Sequence, residues 1–343
     1  EELGEDWNKT TLYGAFENLL DEIKDDERFR PDLVVYIGGH IVSKKLKSYL
    51  RSLKGVEQIR ISQEADIEDT FMHLTKVMDL PNSDAMAWLD NFGWHNHWED
   101  YRKLWMDALA KSYERKENFK PEFSSLATVK EFFSQLQKVE PQDFKAFTLG
   151  GKDAQDDGIY DRKFDTFLPG MMSSVFSGNS SAIRLMNLYA DRHVYCNRGV
   201  NGIEGSLSAA VGFSMCKNKS DKHVYCVLGD LSFFYDQNAL WNRNLNGKLR
   251  IIVLNNGGGA IFGKFQGLKE SQAREEMVMA KHHATAEGIC SQNDVKYFAA
   301  HTMEEMEQGI SQLIHAESER PMLLEVFTDM DVDNEMLEAI QKC

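Results

Sequence analysis

The sequence predicts an α/β fold built on a doubly wound, mostly parallel sheet, and three observations carry that reading. Short apolar runs of strand length alternate with stretches of helical spacing through the C-terminal half of the chain. The runs end in turns rich in glycine and polar residues, as the buried strands of a parallel sheet do. Hydrophobic residues make up 42% of the 343, with 11% aromatic residues and only 6 prolines, a balance that suits a packed core rather than a disordered chain.

Taken in order, the first forty residues are largely polar until Leu33-Val34-Val35-Tyr36-Ile37, a continuous apolar run stopped by Gly38-Gly39. The spacing predicts a buried strand and a glycine turn there, then a Lys- and Leu-rich amphipathic helix over Ser43 to Leu53 and a second strand over Val56 to Ile61, together a βαβ unit. The acidic run Asp21 to Glu27 reads as an exposed helix face, and Trp98 to Lys116 as a long surface helix closing a first domain near Asn118. The predicted domains are therefore 1–118 and 121–343. In the second, Ser124 or Ser125 caps a helix to about Gln137, and 141–168, with Gly150-Gly151 and an acidic stretch over 153–158, reads as a long insertion loop.

Beyond it the alternation is regular. Strands are expected at Ser174–Ser177, His193–Cys196, His223–Leu228, Leu249–Leu254 and Met322–Phe327. Helices are expected at Ser180–Tyr189, Glu204–Cys216, Phe234–Asn244, over 271–290, and at Met303–Ala316.

Composition excludes several classes of function. Lys and Arg number 39 against 54 Asp and Glu, a net charge of −15, and no basic tract tracks a phosphate backbone, so nucleic acid is not an expected partner. There is no run of 18 apolar residues, and the opening EELGEDWNKT lacks the charged and apolar regions of a signal peptide, so neither stable membrane insertion nor secretion is expected. The cysteines number 5, and this odd count points to a reducing cytoplasm without a cysteine metal cluster. Trp94-His95-Asn96-His97-Trp98 invites a metal-pair reading, but histidines at i and i+2 do not face each other on a helix. Lys281-His282-His283 reads as the solvated start of a helix.

Ligands of doubly wound sheets bind outside the carboxyl ends of the strands. One expected strand ends in Gly229-Asp230, and the next in Asn255-Asn256-Gly257-Gly258-Gly259. A carboxylate, an amide oxygen and a backbone free to turn a carbonyl inward suit octahedral Mg²⁺, a hard ion that keeps positions open for phosphate and water. Glycines also let backbone N–H groups approach phosphate oxygens. The plainer alternative is that Asp230 caps its helix and the Asn/Gly run is only a turn. Arg184, one turn after Ser180, and Arg198, directly after a strand, could each bind a carboxylate through a guanidinium fork, or simply pair with a surface acid. Ile203, apolar in a Gly-rich loop, is either core or a wedge against a ligand, and Ile261, Phe262 and Phe265 follow the Asn/Gly run as an apolar wall.

Gly229-Asp230 followed, twenty-six residues after the Asp, by the second Asn of Asn255-Asn256 resembles the diphosphate-binding motif of the thiamine-diphosphate-dependent enzyme superfamily. Leu231 stands where the usual motif has Gly. Within the superfamily, Asn197-Arg198-Gly199-Val200-Asn201-Gly202-Ile203-Glu204-Gly205, the stretch Gly229 to Leu240, the stretch Asn255 to Phe262, and Gly178-Asn179-Ser180 with Arg184 resemble the 2-succinyl-5-enolpyruvyl-6-hydroxy-3-cyclohexene-1-carboxylate synthase family of menaquinone biosynthesis. The motifs cover about residues 176–265.

The resemblance implies a thiamine-diphosphate-binding fold over 121–343, preceded by part of a Rossmann-like middle domain over 1–118. It implies thiamine diphosphate and Mg²⁺ as cofactors, with Mn²⁺ as a substitute, and metal ligation by Asp230, Asn256 and the carbonyl of Gly258. Gly229, Leu231, Ser232, Ile203 and Ile261 would contact the cofactor; Ser180, Arg184, Arg198, Phe262 and Phe265 would contact substrate. The implied reaction is a transferase reaction: decarboxylation of 2-oxoglutarate and 1,4-addition of the succinyl-semialdehyde carbanion to isochorismate. A homodimer or homotetramer is implied, with the pyrimidine domain and its activating Glu contributed by a partner subunit. That domain lies N-terminal in the family, so this chain is expected to be a C-terminal fragment that is inactive alone, and no catalytic residue is assigned within it. The alternatives are another thiamine-dependent 2-oxo acid decarboxylase or acetohydroxyacid synthase relative, and a non-catalytic binding module.

Overall fold

The computed structural model describes residues 15–37, 41–63, 67–91, 99–140, 173–200, 202–216, 222–264, 271 and 273–342. Contacts divide them into two units, one chiefly within Gly14–Phe119 and one chiefly within Lys120–Ala339.

In the first unit β1 (Leu33–Ile37), β2 (Glu57–Ser62) and β3 (Lys76–Asp79) form a parallel sheet in that order. Its helices are α1 (Ala15–Ile23), α2 (Lys44–Ser52), α3 (Asn82–Asn91) and α4 (Glu99–Asn118). Leu19, Leu20 and Ile23 of α1 pack with Phe29, Tyr49, Leu53 and Val56, and Leu104 and Trp105 of α4 join them. The Tyr49 hydroxyl donates to the Phe29 carbonyl at 3.0 Å, and the Trp105 ring meets Phe29 edge-on with centroids 5.3 Å apart. Asp21 to Glu27 is not one helix face: α1 stops at Ile23, and Glu27–Phe29 is a 3-10 turn capped by the Asp26 side chain, which accepts from the Arg28 N–H. The apolar residues of α1 recur at i, i+3, i+4 and i+7 between charges, a signal hidden by the polarity around it. The expected Gly38-Gly39 turn and Trp94 to His97 lie outside the described residues.

In the second unit the strands are β4 (Ser174–Ser177), β5 (Val194–Cys196), β6 (Val224–Gly229), β7 (Leu249–Asn255), β8 (Lys296–Ala300) and β9 (Met322–Phe327). They form one parallel sheet in the order β5-β4-β6-β7-β9-β8. Its helices are α5 (Ser125–Val139), α6 (Ser181–Tyr189), α7 (Ser206–Met215), α8 (Asp230–Asp236), α9 (Glu287–Gln292), α10 (Met303–His315) and α11 (Met330–Gln341). Side chains alternate across the pleat: Val224, Cys226, Leu228, Leu249, Ile251 and Val253 pack with Leu207, Ala210 and Val211 of α7 and with Phe233 of α8. Tyr225 points to the other face and meets Phe132 of α5 with ring centroids 5.1 Å apart. Helices on both faces explain why these strands read as unbroken apolar runs. Arg250, fully buried on β7, donates to the carbonyls of Leu313 at 3.1 Å and Ala316 at 3.0 Å, and to that of Gly247, so it closes the C-terminal end of α10.

Four stretches of this unit differ from expectation. The helix expected over Phe234–Asn244 begins at Asp230 and gives way at Asp236 to a 3-10 turn, Gln237–Trp241. The expected helices over 271–290 reduce to one π-helical turn, Arg274–Val278, and the start of α9, with 281–286 non-helical between them. The edge strand β8 and the acidic helix α11 carry no strong periodic signal and were not expected. Among the described residues, no helix is long and apolar enough to cross a membrane.

His223 stands just before β6, its ring edge-on to Tyr225 at 5.9 Å. Burial first, then the charges of Arg250, Lys248 and Lys222, push its pKa down from 6.5 to about 4. The unfolded chain therefore takes up this proton before the folded one does. The stability contributed by neutral His223 is complete above pH 6.5 and is lost as pH falls toward about 4. Allowing for solvent screening of a partly exposed ring, the unfolding free energy should fall by on the order of 1–3 kcal/mol across that window. Urea titrations should show His223→Gln flattening this acid slope, and an unchanged slope would contradict the assignment.

Candidate active site

The carboxyl ends of β5, β4, β6, β7 and β9 lie side by side, so the turns after them share one edge of the sheet. At the end of β6, Asp230 is only 3% exposed. Its Oδ1 accepts from the Leu231 N–H at 2.6 Å and its Oδ2 from the Gly258 N–H at 2.9 Å, so one carboxylate ties the ends of β6 and β7 together.

The loop after β7 can run this way only with glycine. Gly257 and Gly258 have φ of 78° and 149°, and a Cβ on Gly258 would stand 2.6 Å from the Met279 carbonyl oxygen. The segment 279–282 is laced to that loop: the Gly259 N–H donates to the Met279 carbonyl at 2.7 Å, and the His282 N–H to the Gly257 carbonyl at 3.0 Å. The Gly258 carbonyl accepts from the Ala260 N–H at 3.1 Å.

The two asparagines have different tasks. Asn255 accepts from the Gly257 N–H at 3.1 Å and donates to the Ala284 carbonyl at 3.1 Å and to Glu325 Oε1 at 2.7 Å. Glu325, fully buried on β9, also accepts from the Ala286 N–H at 2.9 Å and the Tyr297 hydroxyl at 2.8 Å. Burial and that hydrogen bond raise the Tyr297 pKa well above the usual range. Asn256 donates through Nδ2 to Asp333 Oδ2 at 2.8 Å, while its Oδ1 is buried and accepts nothing from the described residues. A buried acceptor left without a donor costs about 1–3 kcal/mol, so it points to a missing ligand. Asp333 is further held by Ser125, whose N–H donates at 2.6 Å and hydroxyl at 2.7 Å, and by the Thr328 hydroxyl at 3.0 Å. Burial raises the Asp333 carboxyl above the usual range, against the pull of these donors.

Lys281, His282 and His283 do not begin a solvated helix. They line a cleft of about 520 Å³ together with Asn255, Asn256 and Thr328. His282 Nε2 stands 3.2 Å from Asp230 Oδ2, and this contact raises the His282 pKa against the opposing effect of burial.

The β4 and β5 ends form a second group on the same edge. Gly178 packs so closely on β6 that a Cβ would lie 2.9 Å from the Leu228 Cβ. Ser180 has φ of 65° at the start of α6, a strained conformation for a residue with a side chain. Asn179, 3% exposed, donates to the carbonyls of Asn197 at 3.1 Å, Val200 at 3.3 Å and Gly202 at 2.5 Å, and its Oδ1 accepts from Arg198 Nη1 at 2.9 Å. Asn179 thus shapes the loop that carries Arg198 and Ile203. The Arg198 Nε is buried and has no hydrogen-bond acceptor among the described residues. Arg184, Leu231, Ile203 and Ile261 are half-buried, Ser232 is buried and Phe262 is exposed. Phe265 lies outside the described residues.

A donor set of one carboxylate, one amide oxygen and a backbone carbonyl fits a hard cation. Among the described residues no group of three or more His, Cys, Asp or Glu could hold a metal. Asn179, Asn255, His282, Glu325 and Asp333 were missed by sequence reasoning. Asn179 and Asn255 carried a signal, standing inside polar strand-end turns; Asp333 carried none, being 77 residues from its partner.

The model of the thiamine pyrophosphate enzyme C-terminal TPP binding domain matches residues 177–326, from the end of β4 through nearly all of β9. The chain is 32% identical over 322 residues to the 2-succinyl-5-enolpyruvyl-6-hydroxy-3-cyclohexene-1-carboxylate synthase of Phocaeicola vulgatus, covering 91% of this chain and 49% of that protein. Identity is also 32% to the enzymes of the same name from Bacteroides thetaiotaomicron, over 90% of this chain and 49% of the relative, and Christiangramia forsetii, over 95% and 51%. The chain spans about half the length of the curated relatives it matches. The domain match covers the sheet edge that carries Asp230 and Asn256, and the likeness to the synthases extends over nearly the whole chain; residues 177–326 are thus those of a thiamine pyrophosphate enzyme C-terminal TPP binding domain, in a chain similar to the 2-succinyl-5-enolpyruvyl-6-hydroxy-3-cyclohexene-1-carboxylate synthases.

Proposed function

We propose that the natural protein containing this chain is such a synthase: a Mg²⁺- and thiamine-diphosphate-dependent transferase that decarboxylates 2-oxoglutarate and adds the remaining four-carbon unit to isochorismate. The observation that carries the cofactor reading is the unpartnered Asn256 Oδ1, buried beside the glycine loop to which Asp230 is tied.

Thiamine diphosphate, when bound, supplies the electron sink that lets carbon dioxide leave a 2-oxo acid. The chain's part is to bind and orient. Asp230, Asn256 and the Gly258 carbonyl would hold Mg²⁺, or Mn²⁺ in its place. The backbone of Gly229, Leu231 and Ser232 would meet the diphosphate, and Ile203 and Ile261 would pack on the cofactor. Ser180, Arg184 and Arg198 would take substrate carboxylates, with Phe262 and Phe265 against the substrate ring. The buried Arg198 Nε without an acceptor supports an anionic ligand there, since Asn179 already fixes the other end of the guanidinium.

A homodimer or homotetramer belongs to the same proposal, with an aminopyrimidine-activating glutamate from a partner subunit, as does a cytoplasmic location. The roughly twofold length of the relatives supports a further domain in the working enzyme. The 343-residue polypeptide alone should bind cofactor weakly and not turn over.

In the full-length enzyme, Asp230→Ala should weaken Mg²⁺-dependent thiamine diphosphate binding about 10–100-fold by calorimetry, and unchanged binding would contradict the ligand set. Arg184→Ala and Arg198→Ala should each lower kcat/KM by an amount worth about 2–4 kcal/mol and leave cofactor affinity nearly untouched. Loss of cofactor binding with normal kinetics at saturating cofactor would reverse the two roles.

A further inference from the structure

The geometry points to Asp333 as the residue that decides which end of the Asn256 amide faces the metal, a positioning role that rests on the metal reading above. A carboxamide has two chemically opposite ends of nearly equal shape, and only the oxygen can ligate a cation. The backbone of the glycine loop fixes where Asn256 stands, but not which way its amide is turned.

Asp333 settles that. Its carboxylate faces four donors: the Ser125 N–H, the Ser125 hydroxyl, the Thr328 hydroxyl and Asn256 Nδ2. Surrounded in this way it acts as an acceptor, so the amide must turn its NH₂ group to it. The 2.8 Å contact from Nδ2 to Asp333 Oδ2 leaves Oδ1 on the opposite side, buried and unpartnered. The ligand orientation is therefore set from the start of α5, the end of β9 and the first turn of α11, three elements remote in sequence from the glycine loop.

Asp333→Asn conserves shape and reverses this logic. The Ser125 N–H, which can only donate, keeps the new amide oxygen at the Oδ1 position, while the Ser125 and Thr328 hydroxyls can turn to accept; the new NH₂ group therefore takes the Oδ2 position and faces Asn256, which turns Oδ1 toward it and presents NH₂ to the cation. Adding Asn256→Asp supplies an oxygen in both directions and should restore the site.

The test is Mn²⁺ binding to the full-length protein in the presence of thiamine diphosphate, followed by electron paramagnetic resonance. Asp333→Asn should weaken Mn²⁺ about 10–100-fold. Asn256→Asp alone should also weaken it, because two carboxylates then meet across that contact. The double variant should bind about tenfold or more tighter than Asp333→Asn, a recovery that a merely structural role for Asp333 does not produce. Wild-type affinity in Asp333→Asn, or a double variant no tighter than either single one, overturns the proposal. If Asp333→Asn does not fold, Thr328→Val, which removes one of the donors that hold Asp333, should still weaken Mn²⁺ about 2–10-fold, and unchanged affinity there overturns it. Wild-type protein without any cofactor-dependent Mn²⁺ binding would instead refute the metal reading and leave the orientation argument without its object.

Discussion

One buried carboxylate organises the carboxyl edge of the sheet. Asp230 closes β6 and accepts the Gly258 N–H, so the loop after β7 is drawn against the end of its neighbour. That approach is available only because Gly258 takes a φ of 149° and has no Cβ to strike the Met279 carbonyl. Once the loop is drawn in, Asn256 faces Asp333, Asn255 reaches Glu325, and the segment 279–286 is held by backbone and carboxylate hydrogen bonds. A larger residue at 258 would disturb all of these together.

A chain of net charge −15 that is to hold anionic ligands must arrange its cations locally. In the proposed reading, Asp230 contributes a negative charge to hold the cation that brings in a diphosphate. At the other group of strand ends the charge is reversed: Arg198 is fixed through one nitrogen by Asn179, while its Nε lacks an acceptor among the described residues. Ser180, just before α6, takes a strained conformation of positive φ beside them, which its neighbours must hold in place. Both groups share an edge because β4 and β6 are adjacent in the sheet although β5 lies between them in sequence. That reversal in strand order is where doubly wound sheets bind ligands.

The central strands were legible because burial on both faces demands unbroken apolar runs, which polar turns then interrupt. The placement of Asp230, Asn256 and Gly258 side by side was legible because they stand at two strand ends that the sheet makes neighbours. The edge strand β8 was not, since an edge has weaker burial and Lys296 opens it with a charge. The segment 281–286 was misread as helix because its hydrogen bonds run to the glycine loop and to Glu325 rather than along itself. Asp333 and Glu325 look like ordinary acids in sequence; their roles come from pairings 77 and 70 residues distant, which only the folded sheet creates.

The central claim is that the Asp230 carboxylate, Asn256 Oδ1 and the Gly258 carbonyl form one cation site. The most direct measurement is anomalous diffraction from crystals of the natural protein grown with Mn²⁺ and thiamine diphosphate. The account predicts a manganese peak about 2.0–2.3 Å from an Asp230 carboxylate oxygen, Asn256 Oδ1 and the Gly258 carbonyl oxygen. A peak elsewhere, or a bound cofactor with Asn256 turned away from its metal, would contradict it.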